Sequence, residues 1–302
     1  MLETNCFRRA IWIGLISLIL SVTACDTGSS GTAAESQLAD RDNVEAMSRE
    51  HANDTSAPSA AAEIAPVRGV DSETLPYADV DDKLAYGYLA YPSGVVEPLP
   101  AIVMIHEWWG LNDNIRAMAN RLAAEGYMVL AVDLYGGETA ATPAEARRQM
   151  LTVVENPDIA RENIRQALNF LKIAEAPAIA SLGWCFGGGW SLNTAMSFPE
   201  DVDASVIYYG QITDDAEKLQ MIDGPILGLF AADDRGIPVE SVRSFKAALQ
   251  RLRKEHDIQI YPGVGHAFAN PTGSNYNEAA AENAWQRTLD FLDVHLRPVD
   301  AS

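Results

Sequence analysis

Residues Ser181–Gly189 read SLGWCFGGG, and this stretch decides the fold. The run before it, Ala178–Leu182, is apolar and typical of a buried strand, and Trp190–Met196 after it has helical character. Glycines 187–189 open that helix. The stretch therefore predicts a strand, a sharp turn and a helix in immediate succession.

The turn carries Cys185 in the pattern Gly183-x-Cys185-x-Gly187. This is the spacing of a nucleophile elbow, with cysteine where serine is usual. A residue in such a strained turn requires neighbours two before and two after that lack a Cβ atom. The turn would aim the N–H of Phe186, at the helix N-terminus, toward the sulfur, which favours a thiolate and a developing oxyanion. The alternative is a buried structural cysteine in a glycine-rich turn.

Composition restricts the class of protein. The chain has 302 residues, of which 48% are hydrophobic, and a formal net charge of -20. The length suits one α/β domain with additional sequence. Because such a polyanion repels phosphates, we expect no nucleic-acid partner. The sequence has no phosphate loop and no closely spaced Cys/His cluster, so we expect neither a cofactor nor a metal.

Residues 1–24 resemble a lipoprotein-type signal peptide. Arg8 and Arg9 precede Ile11–Ala24, an uncharged run that is too short to cross a bilayer comfortably. The small residues directly before Cys25 resemble a bacterial lipobox, which implies cleavage there and lipidation of Cys25. The chain would then be an exported bacterial lipoprotein, held by its lipid on the periplasmic side of a membrane. The alternative is an ordinary secretory signal cleaved nearby.

Residues 25–66 are predicted to be a disordered tether, because they are rich in Ala, Ser, Asp and Glu and lack apolar periodicity. His51 in this stretch is predicted to be solvated. The folded domain is predicted to occupy residues 67–298. Of the three cysteines, one would leave with the signal and one would carry lipid, so Cys185 is the free thiol of the domain.

Strand-like and helix-like segments alternate through the domain, which predicts an α/β fold with a mainly parallel sheet and helices on both faces. Tyr77–Tyr91 is predicted to form a hairpin at the antiparallel edge, turning at Asp81-Asp82. In such sheets ligands bind at the carboxyl ends of the strands. Polar residues follow several strands there, namely Glu107, Asp133, Cys185, Asp234 and His266.

Cys185, Asp234 and His266 occur in the chain order of α/β-hydrolases: nucleophile, acid, histidine. The histidine would exchange protons with the sulfur and the leaving group, and the carboxylate would hold its tautomer. Spacing alone does not separate Asp234 from the adjacent Asp233. The other histidines of the domain are interpreted as structural; these are His106, His256 and His295.

Several motifs in matching order over Ala85–Leu296 resemble the dienelactone hydrolase family. They are Ile105–Leu111 (IHEWWGL), Asp133–Gly137 (DLYGG), Gly183–Gly188 (GWCFGG), Tyr208–Gly210 (YYG), Asp234 followed by Ile237-Pro238, and Tyr261–Phe268 (YPGVGHAF). The resemblance implies an α/β-hydrolase fold and a Cys-His-Asp triad. Cys185 would be the nucleophile, Asp234 the orienting acid and His266 the base. Glu107 would contact the resting cysteine and assist its conversion to the thiolate.

The oxyanion hole would combine the backbone N–H groups of Trp108 and Phe186. The side chains of Trp109, Tyr135 and Phe268, with Trp108, suggest a mostly apolar substrate pocket. The alternative for these aromatic residues is ordinary packing at strand ends.

One departure from the family pattern concerns the substrate. Dienelactone-cleaving members place a basic residue, which binds the substrate carboxylate, where this chain has Gly137; the nearest bases in sequence are Arg147 and Arg148. We therefore expect a monomeric hydrolase of a small carboxylic ester or lactone, acting through a thioester. The alternative from another class is a catalytically silent hydrolase-fold module, tethered to the membrane, that binds a ligand. A thiol redox role is a third reading, which the lack of a resolving cysteine disfavours.

Overall fold

The computed structural model describes residues 41–52, 54–58 and 69–297. The predicted signal peptide and Cys25 therefore lie outside the described residues. Among the helices described, none is both long enough and apolar enough to cross a membrane. The elements are α1 (residues 41–50), β1 (Val70–Val80), β2 (Lys83–Pro92), β3 (Ala101–Ile105), α2 (Asp113–Ala124), β4 (Met128–Val132), α3 (Pro143–Glu155), α4 (Pro157–Ile173), β5 (Ile179–Trp184), α5 (Phe186–Ser197), β6 (Ala204–Tyr208), α6 (Ala216–Gln220), β7 (Ile226–Ala231), α7 (Val239–Leu252), β8 (His256–Tyr261) and α8 (Glu278–Leu296).

The strands form one sheet in the order β1-β2-β4-β3-β5-β6-β7-β8. The pairs β1–β2 and β2–β4 are antiparallel, and the remaining neighbours are parallel. The predicted hairpin is confirmed, with Asp81 and Asp82 in the left-handed region at φ 53° and 58°. Its first strand is longer than predicted, because Val70 already pairs with Pro92.

Helices cover both faces of the sheet, as predicted. Consecutive residues of a strand point to opposite faces. On β6, Ile207 packs with Leu192 of α5 and Phe245 of α7. The next residue, Tyr208, instead makes a hydrogen bond with Thr288 of α8, with 2.7 Å between the two hydroxyl oxygens. Helices α5 and α7 therefore lie on one face and α8 on the other.

The central strands β3, β4 and β5 are buried along their whole length, as continuous apolar runs in a parallel sheet require. Ile105 at the end of β3 pairs in register with Gly183 near the end of β5. The loops that follow these two strands therefore start side by side, and a site at this edge can draw on both.

Helix α5 approaches the sheet closely because its first turn is built of glycine. A Cβ atom at Gly187 would lie 2.2 Å from the carbonyl oxygen of Ile105, and one at Gly183 would lie 2.1 Å from the carbonyl oxygen of Gly187. Real side chains do not tolerate such distances to backbone atoms. The glycines on both sides of Cys185 are thus required for the strand, turn and helix to pack as they do.

Helix α1 lies against the domain although it precedes it in the chain. Val44 and Met47 are fully buried in the main hydrophobic core. Burying two such side chains stabilises the contact by about 1.5–3 kcal/mol each. Arg41 and Glu45 also form ion pairs with Glu155 and Arg147 of α3; because both pairs are partly exposed, they contribute little.

We predict that Gly187→Ala destabilises the domain far more than Gly189→Ala. Both changes place alanine in the same helix, where it should gain up to about 1 kcal/mol over glycine. At Gly189 the nearest atoms to the new Cβ would be the Cβ of Gln211 at 3.2 Å and its backbone nitrogen at 3.3 Å, so a displacement of a few tenths of an ångström would relieve the contact. At Gly187 the new methyl meets backbone, so we expect a loss of roughly 3 kcal/mol or more.

Thermal and urea denaturation of the two variants test this difference. Equal melting temperatures for Gly187→Ala and Gly189→Ala would contradict the close approach of α5 to β3.

Candidate active site

Cys185 occupies the turn between β5 and α5. Its backbone has φ 57° and ψ −119°, a conformation that costs a non-glycine residue about 1–3 kcal/mol. Its N–H donates to the carbonyl of Tyr208 at 2.9 Å, which ties the turn to β6. The strained turn predicted for the elbow is confirmed, and the sulfur lies directly before the first turn of α5.

Asp234 and His266 form a buried pair at the same edge of the sheet. The Nδ1 atom of His266 lies 2.6 Å from Oδ2 of Asp234, and both side chains are about 1% exposed. The other carboxylate oxygen accepts hydrogen bonds from the N–H groups of Gly236 and Ile237 at 2.8 Å each. The carboxylate is thus held from two sides, and it is Asp234 that contacts the histidine. Asp233 is exposed.

The Nε2 atom of His266 faces the sulfur. It lies within 4.8 Å of Cys185 Sγ, is buried, and has no hydrogen-bond partner among the described residues. Burial opposes a charged imidazolium, but Asp234 and then Cys185 raise the pKa of His266 well above its ordinary value. A histidine in this position could donate a proton to a reacting group beside the sulfur and later accept one.

Burial by itself would raise the pKa of Cys185, but the imidazoles of His266 and His51 beside the sulfur lower it to about 6. A thiolate is therefore favoured at neutral pH.

Glu107 lies just past β3 and is buried. Burial and the neighbouring Cys185 sulfur raise the pKa of Glu107 to about 8. Its Oε2 atom accepts a hydrogen bond from the side-chain amide of Asn270 at 2.8 Å. Asn270 is a site residue that sequence reasoning missed; its only local signal is an Asn-Pro turn in the loop after His266. A carboxyl group that stays neutral near pH 7 does not repel a thiolate.

The residues predicted to form the oxyanion hole follow the ends of two neighbouring strands. Trp108 follows β3 and Phe186 begins α5, and the ends of β3 and β5 pair side by side. The N–H of Phe186 belongs to the first turn of α5, where backbone N–H groups have no partner within the helix. Both residues therefore have backbone positions suited to the predicted role.

The predicted pocket aromatics occupy different surroundings. Trp109 is buried against Trp108, with ring centroids 4.9 Å apart. Tyr135 packs on Phe186 at 5.7 Å, and its buried hydroxyl has no hydrogen-bond partner among the described residues. Phe268 is fully buried and packs against Tyr209 and Tyr261. Phe268 therefore belongs to the core, where it packs against Tyr209, whose ring in turn contacts His266.

His106 is structural, as predicted. It is fully buried, its Nδ1 lies 2.6 Å from the carbonyl oxygen of Glu107, and its Nε2 accepts from the N–H of Leu134 at 3.1 Å. Asp133 at the end of β4 binds the N–H groups of Tyr135 and Gly137 and so shapes the following loop.

Residues 41–52 and 54–58, called the cover segment below, lie over Cys185. They precede residues 85–296, the region that matches the family motifs. The Sδ atom of Met47 lies 3.3 Å from Cys185 Sγ, and the ring of His51 stacks on Trp108 with centroids 4.6 Å apart. Cys185 is consequently only 1% exposed. The prediction of a disordered tether is therefore wrong for this part of residues 25–66.

His51 is not solvated; it is 2% exposed. Its Nε2 lies 3.8 Å from Cys185 Sγ, and its Nδ1 lies 2.7 Å from Oδ2 of Asp54. Asp54 in turn accepts from the N–H and hydroxyl groups of Ser274 at 3.1 and 2.7 Å. The signal in the sequence is the helical spacing of Val44, Met47 and His51, which is too short a pattern to stand out in a polar stretch.

A cavity of about 500 Å³ lies beside the position where the family pattern has its basic residue. Gly137, Asp133 and Arg116 line it, together with Ser56 and Pro58 of the cover segment. Arg116, rather than either base nearest in sequence, is thus the guanidinium at this cavity. Arg147 is paired with Glu45, and Arg148 is exposed on α3.

Known proteins match both the sequence and the fold. The dienelactone hydrolase family matches residues 85–296. A Saccharolobus solfataricus protein with the provisional name carboxymethylenebutenolidase is 33% identical over 253 residues, covering 72% of this chain and 96% of that protein. A similarly named Escherichia coli K12 protein is 30% identical over 219 residues, covering 68% of this chain and 80% of its own.

Among solved structures, a Klebsiella pneumoniae protein provisionally named dienelactone hydrolase superposes with a TM-score of 0.66 at 24% identity, covering 73% of this chain and 97% of that one. The fold is thus that of the α/β-hydrolases. The chain belongs to the dienelactone hydrolase family, and it is a hydrolase of carboxylic esters or lactones.

We predict that the rate at which iodoacetamide alkylates Cys185 rises with pH through a midpoint near 6. A chelator is included so that no metal ion blocks the thiol. The thiolate is the reactive species, and a lowered pKa means that it forms below neutral pH. The cover segment should reduce the absolute rate because it buries the sulfur, and its His51 contributes to the low midpoint. In His266→Gln the midpoint should move up toward the ordinary value of about 8.5.

His256→Gln is the matched control, because its ring lies on β8 and bonds to the carbonyl oxygen of Lys254. A midpoint that stays in place in His266→Gln, or a wild-type midpoint near 8.5, would contradict the electrostatics described for the sulfur.

Proposed function

We propose that the chain hydrolyses small carboxylic esters or lactones through a Cys185–His266–Asp234 triad and a thioester acyl-enzyme. The observation that carries this proposal is the buried Nε2 of His266. It is held by the bond between Nδ1 and Asp234, lacks a partner, and lies within 4.8 Å of a sulfur on a strained elbow. The proximity of a nucleophile, a base and an orienting acid supports acyl transfer, which uses these three groups together.

In the proposed reaction the Cys185 thiolate attacks the substrate carbonyl carbon. The oxyanion of the tetrahedral intermediate accepts from the backbone N–H groups of Trp108 and Phe186. His266 donates its Nε2 proton to the leaving alkoxide as the C–O bond breaks. The acyl group remains on the sulfur as a thioester. The now neutral imidazole takes a proton from water, the hydroxide attacks the thioester, and the acid product leaves with the thiolate restored.

We propose that Glu107 contributes to the reaction by influencing the charge state of the Cys185 sulfur. Because its pKa is raised to about 8, the carboxyl group is largely neutral when the thiolate forms, and Asn270 fixes its orientation. A charged carboxylate at this position would instead repel the thiolate and raise the pKa of the thiol. Glu107 would therefore lower the electrostatic cost of the reactive form.

The proposed substrates are small neutral esters or lactones. Gly137 offers no side chain for a substrate carboxylate, and the chain carries a net charge of -20. Arg116 at the neighbouring cavity is the described base that could replace the missing one. Turnover of a dienelactone that is lost in Arg116→Gln would assign that task to Arg116.

Hydrolysis of an activated short-chain ester by the full chain in detergent tests the triad. We expect Cys185→Ala to abolish turnover. We expect Asp234→Asn to lower kcat by about 10²–10⁴, because the imidazole loses its orienting carboxylate. Asp233→Asn is the matched control, since this neighbouring side chain is exposed, and its kcat should stay within about twofold of wild type.

Mass spectrometry of the quenched reaction should detect an acyl group on Cys185. Turnover of the ester but not of a dienelactone would support a general esterase. If no turnover depends on Cys185 with either substrate, the proposal fails and the silent binding module takes its place.

We also propose that the chain is exported and lipid-anchored through Cys25, on the basis of the basic, apolar and small residues that precede it. Expression in a Gram-negative bacterium grown with labelled palmitate checks this. Wild-type protein should carry label and sediment with membranes, whereas Cys25→Ser should carry none. Label on Cys25→Ser, or an unlabelled wild type, would contradict the proposal.

A further inference from the structure

Three potential metal ligands from distant parts of the chain converge at the site. One ring nitrogen of His51, one ring nitrogen of His266 and the Sγ atom of Cys185 all lie within 4.8 Å of one another. All three side chains are buried. The sequence showed no such cluster because His51 precedes the family-like region and the other two residues lie far apart within it.

Both histidines are already oriented as metal ligands usually are. The Nδ1 of His51 is bonded to Asp54 and that of His266 to Asp234, at 2.7 and 2.6 Å. Histidines that bind metals commonly donate the second ring nitrogen to a carboxylate, which fixes the tautomer and strengthens the ligand. This leaves both Nε2 atoms directed toward the sulfur, and that of His266 has no hydrogen-bond partner among the described residues.

The donor set suits zinc. Imidazole nitrogen and thiolate sulfur bind Zn²⁺ at about 2.0–2.1 and 2.3 Å, so tetrahedral ligands stand roughly 3.3–3.7 Å apart. The separation of His51 Nε2 and Cys185 Sγ is 3.8 Å. Small side-chain movements would therefore bring the three donors to bonding distance.

We propose that His51, Cys185 and His266 form a Zn²⁺-binding site that holds the cover segment over the nucleophile. Zinc would bond to the sulfur and to Nε2 of His266, the two atoms that acyl transfer would use. The metal and an ester substrate would therefore exclude each other. Binding itself stands on the geometry alone, whereas inhibition of hydrolysis rests on the function proposed above.

Zinc affinity of the reduced full chain, in detergent, is measured by competition with a chromophoric chelator. We expect one Zn²⁺ per chain. His51→Gln removes a ligand and should weaken binding by about 100-fold or more. Asp54→Asn leaves the ligand but removes its carboxylate partner and should weaken binding by about 10–100-fold. His256→Gln is the matched control and should bind as wild type does.

Two further readouts separate a metal site from a merely structural role of His51. Co²⁺ in place of Zn²⁺ should give a thiolate-to-cobalt charge-transfer absorption that Cys185→Ala lacks. Zinc should slow amide hydrogen exchange in residues 41–52 of the wild type, and it should do so much less in His51→Gln.

Equal zinc affinity in wild type and His51→Gln would overturn the proposal, because the metal would then not engage the cover segment. Absence of stoichiometric binding would overturn it as well. Neither result bears on ester hydrolysis if a chelator is added to the esterase assay, because the chelator removes any bound zinc. Conversely, zinc binding can be confirmed or refuted even if the chain hydrolyses no ester.

Discussion

The contact between Gly187 and the carbonyl oxygen of Ile105 determines much of the site. A Cβ atom would lie 2.2 Å from that oxygen, so only glycine lets α5 begin this close to β3. The close approach forces Cys185 into its left-handed turn. It also places the first N–H groups of α5 beside the residues that follow β3, among them Glu107 and Trp108. The close packing of backbone at Gly187 thus fixes the position of the Cys185 sulfur.

Two histidine–carboxylate pairs meet at that sulfur from opposite ends of the chain. The pair of His266 and Asp234 follows the late strands of the sheet, and the pair of His51 and Asp54 precedes the first strand. Burial of Cys185 alone would disfavour its thiolate, and the adjacent imidazoles outweigh this cost and lower its pKa to about 6. The site is therefore both nearly inaccessible to solvent and electrostatically prepared for a negative charge.

Sequence patterns were sufficient for the parts of the protein whose local chemistry is regular. Buried apolar runs predicted the parallel strands, and the glycines around Cys185 predicted the strained turn. Spacing alone left Asp233 and Asp234 open, and only the family resemblance indicated Asp234. In the structure the two adjacent residues differ in burial, and Asp234 is the one that contacts His266. His51 could not be placed from sequence, since one short helical pattern carries little signal and its partners lie on other elements.

The cover segment is joined to the domain through residues 59–68 and therefore meets the sulfur as part of the same molecule. A connection of this kind corresponds to an effective concentration of roughly millimolar. Contacts far too weak to hold a separate peptide would still keep the segment in place. Occupancy of the site by the segment is accordingly independent of protein concentration, so dilution does not expose Cys185.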